Sequence, residues 1–215
     1  YPPKLLVDIR TDLRKALEQN GHQTKFWASE YCILEKNKEI TMEPSPIKSI
    51  NLGLYVARII HSDLALANAS AWQWWTALSM GEDVPIQLLP MKDSSTESIK
   101  YDGIISPTKM FWTTANYSFF IRPGMKRIDV KPTHIVSDLE AATSLMVSSY
   151  TDSKEISTVI MNYTDKEEQL DLKCEKAKTG KLYVTSIDKN LEYVGEHALK
   201  KLSIPARSVV TVVVK

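Results

Sequence analysis

The chain divides into an α/β region with a parallel sheet and then an all-β region, and three observations predict this. Helix-type and strand-type patterns alternate from the start of the chain to Ile121. All five tryptophans (Trp27, Trp72, Trp74, Trp75 and Trp112) lie in that stretch. Beyond it the chain is rich in Val, Thr, Ser and Lys and is broken by turn residues into short β-type runs. Alternating helices and strands build a parallel sheet covered by helices, either doubly wound or a β/α barrel, and closely spaced short strands build an antiparallel sandwich. The expected domains are residues 1–121 and 122–215.

In the first domain, Leu5, Ile9, Leu13 and Leu17 recur every four residues behind Pro2-Pro3, and Asn20-Gly21 supplies a left-handed stop. That predicts a helix. Lys25 to Ala28 is an apolar run too short for a helix and predicts a buried parallel strand with Glu30 just past its end. Ser45-Pro46 offers a cap and a first-turn proline, and Leu54, Ala57, His61 and Leu64 follow at helical spacing, so a second helix is expected to about Leu66. Asn68 to Trp75 predicts a second buried strand, and Ser106-Pro107 the start of a third helix carrying Met110, Phe111 and Tyr117. In the second domain the expected strands are 145–151, 157–163, 169–175, 181–187, 198–204 and 207–214, punctuated by Thr164-Asp165-Lys166 and Thr179-Gly180.

Composition narrows the function classes. With 43% apolar and 25% charged residues over 215 positions, the chain has a globular composition. No window approaches the roughly 18 apolar residues of a membrane span. A net charge of +1 leaves no field to mark a nucleic-acid or membrane-surface binder. Arg122, Lys126 and Arg127 are too few for such a site and suit turn and interdomain contacts. Cys32 and Cys174 lack metal-ligand spacing, which leaves a single bridge as the one possible disulfide. Tyr1-Pro2-Pro3-Lys4 does not read as a secretory signal. His22, His61, His134 and His197 show neither nucleophile nor metal spacing and are read as structural or surface residues. Asn68, Asn116 and Asn162 open short glycosylation-type triplets, a pattern frequent by chance.

Two segments concentrate chemistry. Phe26-Trp27-Ala28-Ser29-Glu30-Tyr31-Cys32 sets a carboxylate at a strand end between aromatic rings, where burial would raise its pKa and a sugar ring could stack. Glutamates usually sit solvated at the surface, and Glu35, Glu39 and Glu43 are read that way. In Asn68-Ala69-Ser70-Ala71-Trp72-Gln73-Trp74-Trp75, the two-residue period sends Trp72 and Trp74 to one face and Gln73 and Trp75 to the other. Trp72 and Trp74 are expected in the core, and Trp75 in a pocket.

Trp27-Ala28-Ser29-Glu30-Tyr31-Cys32 and Ala71-Trp72-Gln73-Trp74-Trp75 resemble the seventh- and eighth-strand motifs of glycoside hydrolase family 30, in particular its endo-β-1,6-galactanase-like members. The stretch from Asn116 to Ile128 resembles that family's passage from barrel to side domain, and Ile204-Pro205-Ala206-Arg207-Ser208-Val209-Val210-Thr211 its closing strand. The resemblance implies the C-terminal part of a (β/α)8 TIM barrel followed by an antiparallel β-sandwich. It implies a retaining glycosidase with Glu30 as nucleophile, and with Trp75, Tyr31 and Gln73 contacting a β-linked oligo- or polysaccharide. It further implies no cofactor, no metal, no nucleic-acid partner and a secreted or periplasmic location. A full barrel needs about 200 residues or more, and the nucleophile-like motif begins near residue 26, so the N-terminal barrel segment with its acid/base glutamate is expected to be a missing partner. These 215 residues by themselves are expected to be inactive and poorly behaved in solution, because two apolar strands lack their sheet. A non-catalytic carbohydrate-binding or structural module is the competing expectation.

Overall fold

The computed structural model describes residues 1–19, 21, 25–33, 49–80, 87–92, 102–130, 133–175 and 177–215. Helix α1 spans Pro3–Gln19 and is followed by Gly21 in the left-handed region at φ 63. Its buried face is Leu6, Val7 and Arg10, while Leu5 and Ile9, on the expected face, are exposed. Leucine periodicity selects the neighbouring face because it cannot register Arg10, which turns inward to pair with Asp63 at 2.8 Å. Strand β1 is Trp27–Tyr31 and helix α2 is Ile50–His61. The expected start of α2 at Ser45-Pro46 lies outside the described residues. Ser49 is the cap, its hydroxyl accepting from the Leu52 amide at 3.1 Å. A π-type turn, Ser62–Leu66, continues the helix before strand β2, Ala71–Trp74. Asn68, expected inside that strand, takes φ 58 ahead of it.

A small sheet follows, of β3 (Leu78–Met80), β4 (Leu89–Lys92) and β5 (Ile104–Ile105), in an order no hydrophobic period announces. Helix α3 is Lys109–Ser118. Its cap is Thr108, three-way bonded to Leu88 O and the Phe111 amide, whereas Ser106 still donates to Pro90 O in extended chain. The expected Ser106-Pro107 start is therefore two residues early.

The remainder is β6 (Lys126–Ile128), a short helix α4 (Asp138–Thr143), β7 (Leu145–Thr151), β8 (Ile156–Asn162), β9 (Glu168–Leu170), β10 (Thr179–Thr185), β11 (Glu192–Ala198), β12 (Leu202–Ile204) and β13 (Ser208–Val214). Six of these strands form one antiparallel sheet in the order β11-β10-β13-β8-β7-β6, with β13 buried along its full length. Alternation along the strands separates two cores. Met146, Val159, Met161 and Val209 face α2 and α3, while Ile160, Val210, Val212, Leu182 and Val184 face Leu202 and Ile204. The opposing layer on that second face is the β9–β12 pair. The 169–175 run pairs only near its start because polar Asp171 and Lys173 leave the ladder, and Asp171 instead accepts from the Lys201 amide at 2.7 Å. Lys201, at φ 54, splits the expected 198–204 strand into the end of β11 and β12. Thr179-Gly180, expected as a turn, lies inside β10.

Helix α2 is apolar on all sides, and every residue of it except Asn51 is buried. Arg58 on this helix has no exposed surface, and its guanidinium lies over Tyr163 at 4.6 Å, as does that of Arg207 on the sheet side. Asn116 of α3 and Thr211 of β13 bond reciprocally at 3.0 and 2.8 Å, and Lys109 Nζ caps the β10–β11 turn at Lys189 O and Asn190. Asn116 and Asn162 of the glycosylation-type triplets are thus buried bonding residues; Asn162 donates to the carbonyls of Lys166, Ile204 and Pro205.

Two outcomes follow from α2. A methyl at Gly53 would meet Lys109 O and the Thr113 methyl, each at 3.0 Å, so Gly53→Ala should destabilise the protein by about 1–3 kcal/mol in urea unfolding. Burial, with the Arg127 charge second, lowers the His61 pKa from 6.5 to about 4. Between those values the unfolded chain binds a proton that the folded chain refuses. Stability should therefore fall, by on the order of 3 kcal/mol, as pH drops from about 6.5 to about 4, and His61→Gln should remove that slope.

Candidate active site

Strands β1 and β2 run parallel, with Trp27 opposite Ala71, Ala28 opposite Trp72 and Tyr31 opposite Trp74. Two residues of β1, Ser29 and Glu30, therefore oppose the single residue Gln73, which makes a β-bulge. Glu30 sits in it at φ 152 and is exposed. The glutamate thus lies within the strand rather than beyond its end, because the bulge continues the pairing past it. A bulge re-aims a side chain without ending the strand, and here it lifts Glu30 out of the β1 alternation opposite Gln73.

The two faces have different characters. Tyr31, Trp72 and Trp74 form a triangle of rings with centroids 6.1, 5.9 and 6.1 Å apart, packed against the α2 core. Burial first, and Tyr55 next, push the Tyr31 phenol above its ordinary value and keep it neutral. Gln73 is exposed, Trp75 is 47% exposed immediately after β2, and its amide donates to Tyr31 O at 2.9 Å. The structure therefore brings Glu30, Gln73 and Trp75 together at one end of the strand pair and sets the Tyr31 ring in the layer beneath. Trp27, 57% exposed on the Gln73 face, was not singled out from the sequence. Its parity with Ala71 becomes readable only once the bulge is known.

Cys32 and Cys174 are free thiols. Among the described residues no group of three or more His, Cys, Asp or Glu side chains could hold a metal ion. A cavity of about 440 Å³ lined by His61, Arg127 and Ser148 lies at the far end of α2, which returns the chain to the start of β2 and so away from Glu30.

Comparison with known proteins bears on these strands directly. Residues 1–83, which hold both of them, match the model of O-glycosyl hydrolase family 30. That match covers 83 of the 215 residues. A solved conserved exported protein from Bacteroides fragilis is similar over 100% of this chain, at 69% identity and TM-score 0.91, and the chain covers 44% of it. A GH30 endoxylanase from Clostridium papyrosolvens C71 is similar over 95% of the chain and 45% of its own length (19% identity, TM-score 0.66). GH30 xylanase C from Talaromyces cellulolyticus is similar over 90% of the chain and 41% of its own (21% identity, TM-score 0.66). At those identities the two xylanases share the fold alone. The chain spans less than half the length of each of these proteins, the fold of a C-terminal part of a family 30 barrel with the β region that follows. The comparison with curated proteins gives no match.

The two faces of β2 make a testable contrast. Trp72→Ala should cost about 3 kcal/mol or more in chemical denaturation, as a truncation within a packed cluster. Trp75→Ala, at an exposed position, should change stability by less than about 1 kcal/mol.

Proposed function

We propose that this chain is the C-terminal portion of a retaining β-glycoside hydrolase, acting on a β-1,6-galactan or a related β-linked glycan, with Glu30 as nucleophile. The observation that carries the reading is the bulge that holds Glu30 out of the strand alternation, opposite Gln73 and beside the exposed Trp75. Retaining hydrolysis needs two carboxyl groups about 5–5.5 Å apart. One attacks the anomeric carbon; the other protonates the leaving oxygen and later activates water. In this reading Glu30 attacks and forms the covalent glycosyl intermediate. Trp75 stacks on the sugar ring, Gln73 hydrogen-bonds its hydroxyls, and Tyr31 supports the floor through Trp72 and Trp74. The acid/base carboxyl comes from polypeptide outside these 215 residues, as part of the barrel that residues 1–121 complete, and residues 122–215 serve as its side domain. The chemistry calls for no cofactor. Export of the protein is supported by its similarity to the exported Bacteroides fragilis protein. Among the described residues no helix is long and apolar enough to cross a membrane.

In the full-length protein, Glu30→Gln should lower kcat on β-1,6-galactan by about 10³-fold or more while leaving the unfolding midpoint unchanged. An activated fluoro-sugar should label Glu30, as read by peptide mass spectrometry. Labelling of another carboxylate, or near-normal turnover in the variant, would reject the assignment, and binding of the glycan without any hydrolysis would favour a carbohydrate-binding module.

A further inference from the structure

The feature of the α/β region that the proposed chemistry leaves unused is a buried carboxylate behind the site. Asp63 is 4% exposed and lies in the π-type turn between α2 and β2. Its Oδ1 accepts from Arg10 Nε of α1 at 2.8 Å, and its Oδ2 accepts from the Trp72 indole N–H at 3.0 Å. Its carbonyl oxygen accepts from the Ala69 amide at 2.8 Å, on the approach to β2. One residue thus ties α1, the turn and β2 together. The turn itself is widened by a five-residue bond from the Ala67 amide to Ser62 O at 3.0 Å, and π-type insertions of this kind recur at functional sites.

We propose that Asp63 is a positioning residue that locks the register of β2 against β1 and so decides which tryptophans face the glycan. A one-residue slip of a strand exchanges its two faces. In most strands the hydrophobic pattern forbids this, but Ala71-Trp72-Gln73-Trp74-Trp75 carries indoles in both parities. Slipped by one, β2 would bury Gln73 and Trp75 in place of Trp72 and Trp74, so the apolar penalty is a single tryptophan replaced by glutamine. The slip would also withdraw the indole N–H from Asp63 Oδ2 and leave a buried carboxylate partly unpaired. Buried polar groups contribute little net stability, and selecting one register is their best-attested role. With the lock in place, Gln73 stands opposite the Glu30 bulge and Trp75 stays exposed beside it. The functional half of the proposal rests on the hydrolase reading above; the structural half does not.

The test is hydroxyl-radical footprinting of the full-length protein by mass spectrometry, with hydrolysis of β-1,6-galactan measured on the same samples. In the unaltered protein Trp75 should be labelled and Trp72 and Trp74 protected. Trp72→Phe keeps the ring and removes only the N–H, leaving Asp63 and Arg10 paired; Asp63→Ala removes the acceptor. In each, labelling should invert, with Trp74 modified more than Trp75, and kcat should fall by about 10²-fold through misplacement of the stacking wall. Wild-type labelling order in a folded Trp72→Phe protein would overturn the register lock, whatever Asp63→Ala does to folding. Inverted labelling with unchanged hydrolysis would overturn its functional half. Full hydrolysis by Glu30→Gln would instead reject the nucleophile reading while leaving the labelling result to stand.

Discussion

Burial of α2 on all sides is the constraint around which the rest of the structure is arranged. A helix with apolar residues around its whole circumference needs walls in every direction, and no single neighbouring element can supply them. Leu6 of α1, Met110 and Tyr117 of α3, and the inner face of the six-stranded sheet provide those walls. Arg58 carries the same logic into polar chemistry, because a guanidinium without exposed surface needs a partner, and the Tyr163 ring is shared between it and Arg207. Asn116–Thr211 and Lys109–Asn190 add directed bonds across the same seam. The α/β and all-β regions therefore share one core rather than touching at their surfaces.

That rigidity is what a site built from two short strands requires. β1 and β2 are brief, one face of the pair is exposed, and neither would hold its geometry alone. Their inner face is held by the Tyr31–Trp72–Trp74 cluster resting on α2, and their outer face is exposed at Trp27, Glu30 and Gln73. The bulge at Ser29-Glu30 separates the two duties. It lets Tyr31 return to the packed face while Glu30 is held clear of it. A regular strand of the same length would have forced a different choice of which side chain to bury.

Much of this was legible in the chain. The helix–strand alternation, the β-rich second half and the parities of Trp72, Trp74 and Trp75 follow from residue order, because burial acts on side chains with the periods 3.6 and 2 that the backbone imposes. Four short motifs likewise pointed to family 30 through local residue identity. What the chain did not disclose has one common cause. The buried face of α1 is set by Arg10 pairing with Asp63, fifty-three positions away. The start of α3 is set by Thr108 meeting Leu88 O, and the break between β11 and β12 by Lys201 meeting Asp171. Edge strand β11, Glu192–Ala198, has too few apolar residues to show a period and forms because β10 offers a free edge.

The sequence by itself determined the helix–strand alternation of the first region, the β-rich character of the second and the inward face of β2, since those follow from side-chain solubility and backbone geometry within a few residues. Only the tertiary structure decided the bulge that lifts Glu30 clear, the exposure of Trp27 and the partnership of Asp63 with Arg10 and Trp72. These depend on hydrogen bonds between segments distant in the chain. A polar side chain carries no mark of its partner until packing has removed the water that would otherwise satisfy it.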